Sequence, residues 1–251
     1  MKRSVYIGFD PREHAEFAVA RESVRQHSLS WPIVGLVLTK LKDAGLYTRP
    51  TSQGINSDGH FVMIDELSIR EDYDGRVSTE HAISRFLVPH LAKEGWALFM
   101  DGDMKVRENL APLFSSLDYS KALYTVPHNY APTATTKMDG QRQTQYPRKN
   151  ESSFMLFNCD HPANEKLTLE MINTVPGRDL HRFCWLEDHH IGELDQKWNF
   201  LVGHTDPAIV PANIHWTSGT PAMKGYENVP WAEEWRSARD DWAQGCLSLP
   251  G

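Results

Sequence analysis

The sequence predicts an α/β protein with a mixed, mainly parallel sheet flanked by helices, built as a single domain with a C-terminal extension. Three observations carry this expectation. A strand-like segment, a capped helix and a second strand follow one another at the start of the chain. An uninterrupted apolar run, Trp96-Ala97-Leu98-Phe99-Met100, leads straight into Asp101-Gly102-Asp103. The absence of alternation suits a strand buried on both faces, as in a parallel sheet, although a short buried helix would show the same pattern. Finally, 251 residues, 40% of them hydrophobic and 24% charged, suffice for one α/β domain or one and a half with a substantial core.

Taken in order, Ser4-Val5-Tyr6-Ile7-Gly8-Phe9 reads as the first strand and Asp10-Pro11-Arg12-Glu13 as a helix start. Asp10 suits the N-cap, Pro11 the first helical position, and Glu13 completes a capping-box pattern. Phe17, Ala20 and Val24 then recur at helical spacing, which predicts a helix over Pro11 to His27. Ile33 to Leu38 is the second strand, so the chain opens as a βαβ unit with a right-handed crossover. Lys40 to Gly59 is polar and reads as an exposed excursion before a short strand at His60 to Ile64. Ser78 to Leu91 reads as a helix with Ile83, Phe86, Leu87, His90 and Leu91 on its apolar face, kinked or shortened by Pro89. The Trp96–Met100 strand follows. Ala131 to Asn150 has few large apolar residues and is expected to be a long functional loop or a mobile segment, a natural lid or wall for a site. Ala163 to Asn173 reads as another helix. The tail, with Trp235 and Trp242 among mixed charges, suggests an amphipathic helix that packs on the domain or on a partner subunit. The expected division is therefore 1–225 for the domain and 226–251 for the tail, with a homo-oligomer left open.

The formal net charge of −7 argues against a nucleic-acid or anionic-membrane partner, since both recruit basic patches. No apolar stretch approaches the ~20 residues that span a bilayer, and Met1-Lys2-Arg3 runs at once into a strand rather than a signal segment. A soluble, cytoplasmic protein is expected. The three cysteines, Cys159, Cys184 and Cys246, show no metal-binding or redox spacing, so reduced structural thiols are expected.

Asp101-Gly102-Asp103 is the candidate site. Ligands of parallel sheets gather at the strands' carboxyl ends, and a glycine between two carboxylates lets the backbone turn and approach a ligand closely. Two hard carboxylate oxygens suit Mg²⁺ or Mn²⁺, with phosphate oxygens as further ligands; an ordinary Asp-Gly turn is the alternative. Asp10, at the carboxyl end of the first strand, is either a ligand for a nucleotide base or ribose or a helix cap alone. Arg85 falls opposite Ile83 and Leu87 and either points at an anion or stays at the surface.

Taken together, Ser84-Arg85-Phe86-Leu87-Val88-Pro89 and Leu98-Phe99-Met100-Asp101-Gly102-Asp103-Met104-Lys105-Val106 resemble the Y-x-R-hydrophobic-x-x-P and Y-L-D-A-D-hydrophobic-x-V blocks of glycosyltransferase family 8. The opening strand through Asp10 is similar to that family's first strand. Ser152-Ser153-Phe154-Met155-Leu156-Phe157-Asn158 is similar to its N-S-G-V-hydrophobic-L-hydrophobic-N strand, and Ile214-His215-Trp216-Thr217-Ser218-Gly219 with Lys224 to its H-x-x-G-x-x-K element. The resemblance covers four blocks in the family's order over most of the chain. It implies a retaining enzyme of the Rossmann-like GT-A fold that uses a nucleotide-diphosphate sugar, by default a UDP-sugar, and a hydroxyl acceptor such as a saccharide, a lipid-linked glycan or a protein.

The resemblance also implies roles. Asp101, Asp103 and His215 become the metal ligands, a set with one nitrogen that suits Mn²⁺ better than Ca²⁺; taken alone, His215 reads as a structural histidine. Asp10, Arg85, Asp101, Ser152, Ser153 and Lys224 become contacts for the nucleotide, diphosphate and sugar. The chain departs from the family in having Glu151-Ser152-Ser153 for Asn-Ser-Gly and a longer interval from His215 to Lys224. Its nearest stretch to the family's D-Q-D block is Trp185-Leu186-Glu187-Asp188-His189-His190-Ile191-Gly192, ahead of Leu194 and Trp198-Asn199. Glu187 or Asp188 is then expected beneath the sugar as nucleophile or charge stabiliser, with solvated charges on a helix as the alternative. Two other function classes fit the same aspartates: a phosphohydrolase or nucleotidyltransferase, which would ordinarily carry a glycine-rich phosphate loop not found here, and an inactive GT-A binding module.

Overall fold

The structure, a computed structural model, describes residues 2–28, 30–55, 61–128 and 151–247. Its strands are β1 (Arg3–Gly8), β2 (Ile33–Leu36), β3 (Thr51–Ile55), β4 (Phe61–Asp65), β5 (Arg76–Val77), β6 (Trp96–Met100), β7 (Met104–Val106), β8 (Leu123–Thr125), β9 (Phe154–Asn158), β10 (Ile191–Glu193), β11 (Phe200–Leu201) and β12 (Asn213–His215). Six of them form the central sheet in the order β10-β8-β9-β6-β1-β2. Only β9 runs against its neighbours, so the sheet is mixed and mainly parallel. A second sheet, β11-β12-β7, extends from the loop after β6, and an antiparallel hairpin sheet, β3-β4-β5, stands apart from both.

The continuous apolar run of β6 is explained by cover on both faces. Trp96, Leu98 and Met100 pack with Val5, Ile7, Ala20, Val24 and Phe114 on one side. Ala97 and Phe99 pack with Phe86, Leu87, Met155, Leu180 and Trp185 on the other. Period-two side chains with helices over each face leave no polar side, so alternation disappears.

The local expectations hold with informative differences. Asp10 caps a 3₁₀ turn, Pro11–Glu13, its Oδ1 accepting from the Arg12 amide at 2.9 Å, and the α-helix runs from His14 to His27. The expected capping box is not made by Glu13, which starts the α-helix without a side-chain cap. The Ser78–Leu91 segment is helical from His81 to Ala92 but passes through a 3₁₀ turn, Arg85–Leu87, just ahead of Pro89. Proline removes one amide and crowds the carbonyl one turn back, which breaks regular α geometry there. The Ala163–Asn173 region is a 3₁₀ segment, Pro162–Lys166, and a separate helix, Leu169–Thr174, restarted by the cap of Thr168 on Met171.

The described part of Lys40–Gly59 is more than an excursion: it continues a helix, Leu38–Asp43, with Leu38 and Leu41 buried, and holds edge strand β3 paired to β4. β3 reads as polar because it lies at the edge of a small sheet and needs no apolar face of its own. The hairpin sheet is tied to the body by a buried pair, Arg49 to Asp65, in which Arg49 also donates to the carbonyls of Ile172 and Val175. The tail forms a helix, Ala232–Leu247, that lies along the His14–His27 helix. It buries Trp235 against Val19, Ile214 and Trp216, while Glu234 pairs with Lys105 and Arg107 of the segment after Asp103. The expected lid at 131–150 lies outside the described residues. No described helix is long and apolar enough to cross a membrane.

Candidate active site

Because β1, β6, β8 and β10 run in one direction and β9 in the other, the carboxyl ends of the first four and the start of β9 share one edge of the sheet. Asp101 leaves β6 at that edge, its amide donating to the Ser153 carbonyl at 3.0 Å. Gly102 passes so close to β1 that a Cβ there would lie 2.7 Å from the Gly8 carbonyl oxygen, so this turn admits no side chain without movement. Asp103 then opens into β7, which pairs with β12 in a register that sets Met104 opposite His215. The second sheet thus carries the histidine back to the aspartates from a distance of more than a hundred residues in sequence.

The three side chains expected to hold a metal are brought together: Asp101, Asp103 and His215 each offer a ligand atom within 4.8 Å of the others. His215 is buried, and its Nε2 faces Asp103 Oδ1 at 3.4 Å. Its other nitrogen, Nδ1, lies 2.8 Å from Asn199 Oδ1. Among the described residues, Asp103 Oδ1 is buried without a hydrogen-bond donor. Burial disfavours the His215 imidazolium, but Asp103 and Asp101 outweigh it and hold the pKa above the ordinary histidine value. Two carboxylates beside one imidazole whose outer nitrogen is already engaged form a donor set that fits a divalent cation such as Mn²⁺ or Mg²⁺.

Asp101 has its own cations. Arg85 is buried rather than at the surface: its Nη2 lies 2.9 Å from Asp101 Oδ1, its Nη1 donates to the Ser152 carbonyl at 2.7 Å, and the guanidinium sits 4.8 Å from the centre of the Phe99 ring. His81, which the sequence did not single out, places Nε2 at 3.3 Å from the same Asp101 oxygen. Burial alone would raise the Asp101 pKa; Arg85 and then His81 reverse this and keep the carboxylate ionised, well below its ordinary range.

The remaining expected residues divide. Ser152 and Ser153 are buried at the start of β9; the Ser152 hydroxyl meets His181 Nδ1 at 2.7 Å, and the Ser153 hydroxyl accepts from Asn199 Nδ2 at 2.9 Å. The Asp10 carboxylate has no exposed surface and accepts from the Arg12 side chain, the Arg12 amide and the Glu80 amide, so it serves as a cap and an anchor for Arg12 rather than facing a ligand. Lys224 is exposed and, among the described residues, makes no ion pair or hydrogen bond with the cluster.

Glu187 and Asp188 correct the expectation made for them. They precede β10, and the turn Asp188–His190 lies at the amino end of β8, where the His190 carbonyl accepts from the Ala122 amide. That is the opposite end of the sheet from Asp101, so neither is brought to the cluster. The acidic residues at the cluster end of β10 are Glu193 and Asp195. Asp195 caps the short helix Gln196–Asn199, which delivers Asn199 to His215 and Ser153.

Glu13 is another residue whose place the sequence did not reveal. Burial, reinforced by Asp103 and then Asp10 and Glu16, raises its pKa to about 9, so it is protonated beside the cluster at neutral pH. The spacing that suggested a capping box was the visible signal at this position, and it pointed elsewhere.

A mixed, mainly parallel Rossmann-like sheet flanked by helices is the GT-A fold of glycosyltransferases. Solved structures share it across nearly the whole chain. GlyE of Streptococcus pneumoniae TIGR4, a glycosyltransferase, superposes with a TM-score of 0.56 at 15% identity over 100% of this chain and 65% of that one. The galactosyltransferase LgtC, solved with donor and acceptor sugar analogs, gives 0.54 at 14% identity over 95% of each chain. Mouse xyloside xylosyltransferase 1 gives 0.51 at 11% over 88% of this chain and 100% of that one. Identities this low establish the fold; this chain spans about two thirds of GlyE. No family model matches the sequence. By sequence the chain belongs to the family of Protein CDI of Arabidopsis thaliana, to which it is 36% identical over 245 residues, 95% of this chain and 86% of that protein.

Proposed function

We propose that this protein is a divergent relative of glycosyltransferase family 8: a metal-dependent retaining glycosyltransferase that moves a hexose from a nucleotide-diphosphate sugar, by default a UDP-sugar, to a hydroxyl acceptor. The observation that carries the reading is the convergence of Asp101, Asp103 and His215 at the carboxyl edge of a GT-A sheet. In this reading Asp103 and His215 hold the cation from β7 and β12, and Asp101 completes the set from β6. A divalent cation bound there supplies Lewis-acid stabilisation of the departing nucleoside diphosphate. Arg85 and His81 fix Asp101 in its ionised form and one orientation, so the site is organised before the donor arrives. Stabilisation of charge on the sugar is assigned, on strand direction, to the acidic residues at the cluster end of β10, Glu193 and Asp195, and not to Glu187 or Asp188. Retention of anomeric configuration and the choice of UDP follow from the family resemblance, which supports them through four ordered blocks. The acceptor is a hydroxyl compound of a saccharide, lipid-linked glycan or protein.

The competing hydrolase reading is disfavoured because no glycine-rich phosphate loop follows β1; that position holds the Asp10–Arg12 cap. Thermal unfolding with UDP, GDP or CDP, each with Mn²⁺ or EDTA, tests the proposal. A ligand at about 100 times its Kd adds ~2.7 kcal/mol, equivalent to roughly 5 to 10 °C in a domain of this size. A rise with one nucleotide that requires Mn²⁺ is expected. No rise with any of them would refute the donor site.

A further inference from the structure

Asn199 is wholly buried and stands at the meeting point of three segments that are remote in sequence. Its Oδ1 lies 2.8 Å from His215 Nδ1, and its Nδ2 lies 2.9 Å from Ser153 Oγ and 3.0 Å from His128 Nε2. These partners determine the protons. An amide nitrogen only donates, so His128 must accept through a bare Nε2, which makes it a neutral imidazole. The amide oxygen only accepts, so His215 carries a proton on Nδ1, and Nε2 is the nitrogen turned towards Asp103, the one a cation would take in place of a proton. Burial, with His215 adding to it, lowers the His128 pKa to about 4, in keeping with the neutral form.

We infer that Asn199 is a positioning residue for the metal: it sets the tautomer and ring plane of His215 so that Nε2 is offered to a cation shared with Asp103. This rests on the metal reading above. A histidine ligand whose outer N–H has a fixed acceptor is better oriented and more basic, and loss of such a partner typically lowers metal affinity about 10- to 100-fold. Without Asn199 Oδ1 the Nδ1 proton has no acceptor, and the ring is free to move its proton to Nε2, where it would donate to Asp103 Oδ1 and close the site to a cation.

Mn²⁺ alone is the probe, with its free concentration and its nitrogen coupling read by electron paramagnetic resonance on the full chain. Asn199→Ala is expected to bind Mn²⁺ about 10- to 100-fold more weakly than wild type and to lose the histidine nitrogen coupling. Asn199→Asp keeps an acceptor for His215 Nδ1 but lacks the amide donors to Ser153 and His128, so it is expected to bind at least as tightly as wild type and keep the coupling. Affinity and coupling unchanged in Asn199→Ala would overturn the inference while leaving the metal site standing. Equal losses in both variants would overturn it too, since the Ser153 and His128 bonds would then be the ones that matter. Should Asn199→Ala not fold, Asn199→Asp decides alone: weakened binding refutes the inference, and wild-type binding with intact coupling supports it. No Mn²⁺ binding by the wild type would overturn the metal reading and this inference together.

Discussion

Gly8→Ala tests how tightly the candidate site is built. Gly8 ends β1, and a Cβ placed there would lie 2.3 Å from Cδ2, 2.6 Å from Cγ and 2.6 Å from Nε2 of His81. The backbone poses no obstacle to alanine, so the ring is the cause of any penalty. Relieving such contacts requires the imidazole to retreat by roughly 1 Å, since carbon atoms prefer separations of about 3.5 to 4 Å. The ring is buried and its Nε2 faces Asp101 Oδ1 at 3.3 Å, so it cannot rotate into solvent. Overpacking of this kind costs about 1 to 3 kcal/mol, or about 2 to 4 °C in Tm for each kcal/mol in a chain of this size. The assay is a double-mutant cycle by thermal or urea unfolding of wild type, Gly8→Ala, His81→Ala and the double variant. Removing the ring removes the clash, so Gly8→Ala is expected to cost little in the His81→Ala background, with a coupling of about 1 to 3 kcal/mol. Equal costs of Gly8→Ala in both backgrounds would refute the packing argument.

Arg49→Met leaves Asp65 without its buried counter-charge and the Ile172 and Val175 carbonyls without a donor, so a loss of about 3 to 5 kcal/mol is expected by urea denaturation; a loss below 1 kcal/mol would show that the hairpin sheet does not depend on this pair. Glu13 gives a pH signature. Its folded pKa, about 9, lies above the unfolded carboxylate value, so the folded state binds the extra proton and stability falls as pH rises from about 4.5 towards 9. Glu13→Gln, measured in EDTA, is expected to gain on wild type by up to about 1.4 kcal/mol per pH unit across that window. Identical pH slopes in the two proteins would contradict the burial of this carboxyl.

Legibility in the sequence followed the range of the interaction. The β6 run announced a strand covered on both faces because its pattern needs only local reading, and Asp101 and Asp103 follow it at once. His215 was legible as a ligand only through the family resemblance; in isolation a histidine in a three-residue strand carries no signal. The misplacement of Glu187 and Asp188 has a definite cause. β10 is three residues long, Ile-Gly-Glu, too short and too weakly apolar to be recognised, and without it the carboxylates cannot be assigned to the correct end of the sheet. The roles of His81, Glu13 and Asn199 were invisible because their surroundings come from other segments. His81 is recognisable only once Gly8 and Asp101 are seen beside it, and Asn199 only once β12 has brought His215 back.

The central claim is most directly tested by release of nucleoside diphosphate from a panel of nucleotide sugars with Mn²⁺, comparing wild type with Asp103→Asn. The account predicts turnover of one nucleotide sugar by the wild type, none in EDTA, and at least a hundredfold loss in an Asp103→Asn protein whose Tm stays close to wild type. Equal turnover by the two proteins, or release of phosphate from nucleotides carrying no sugar, would contradict it.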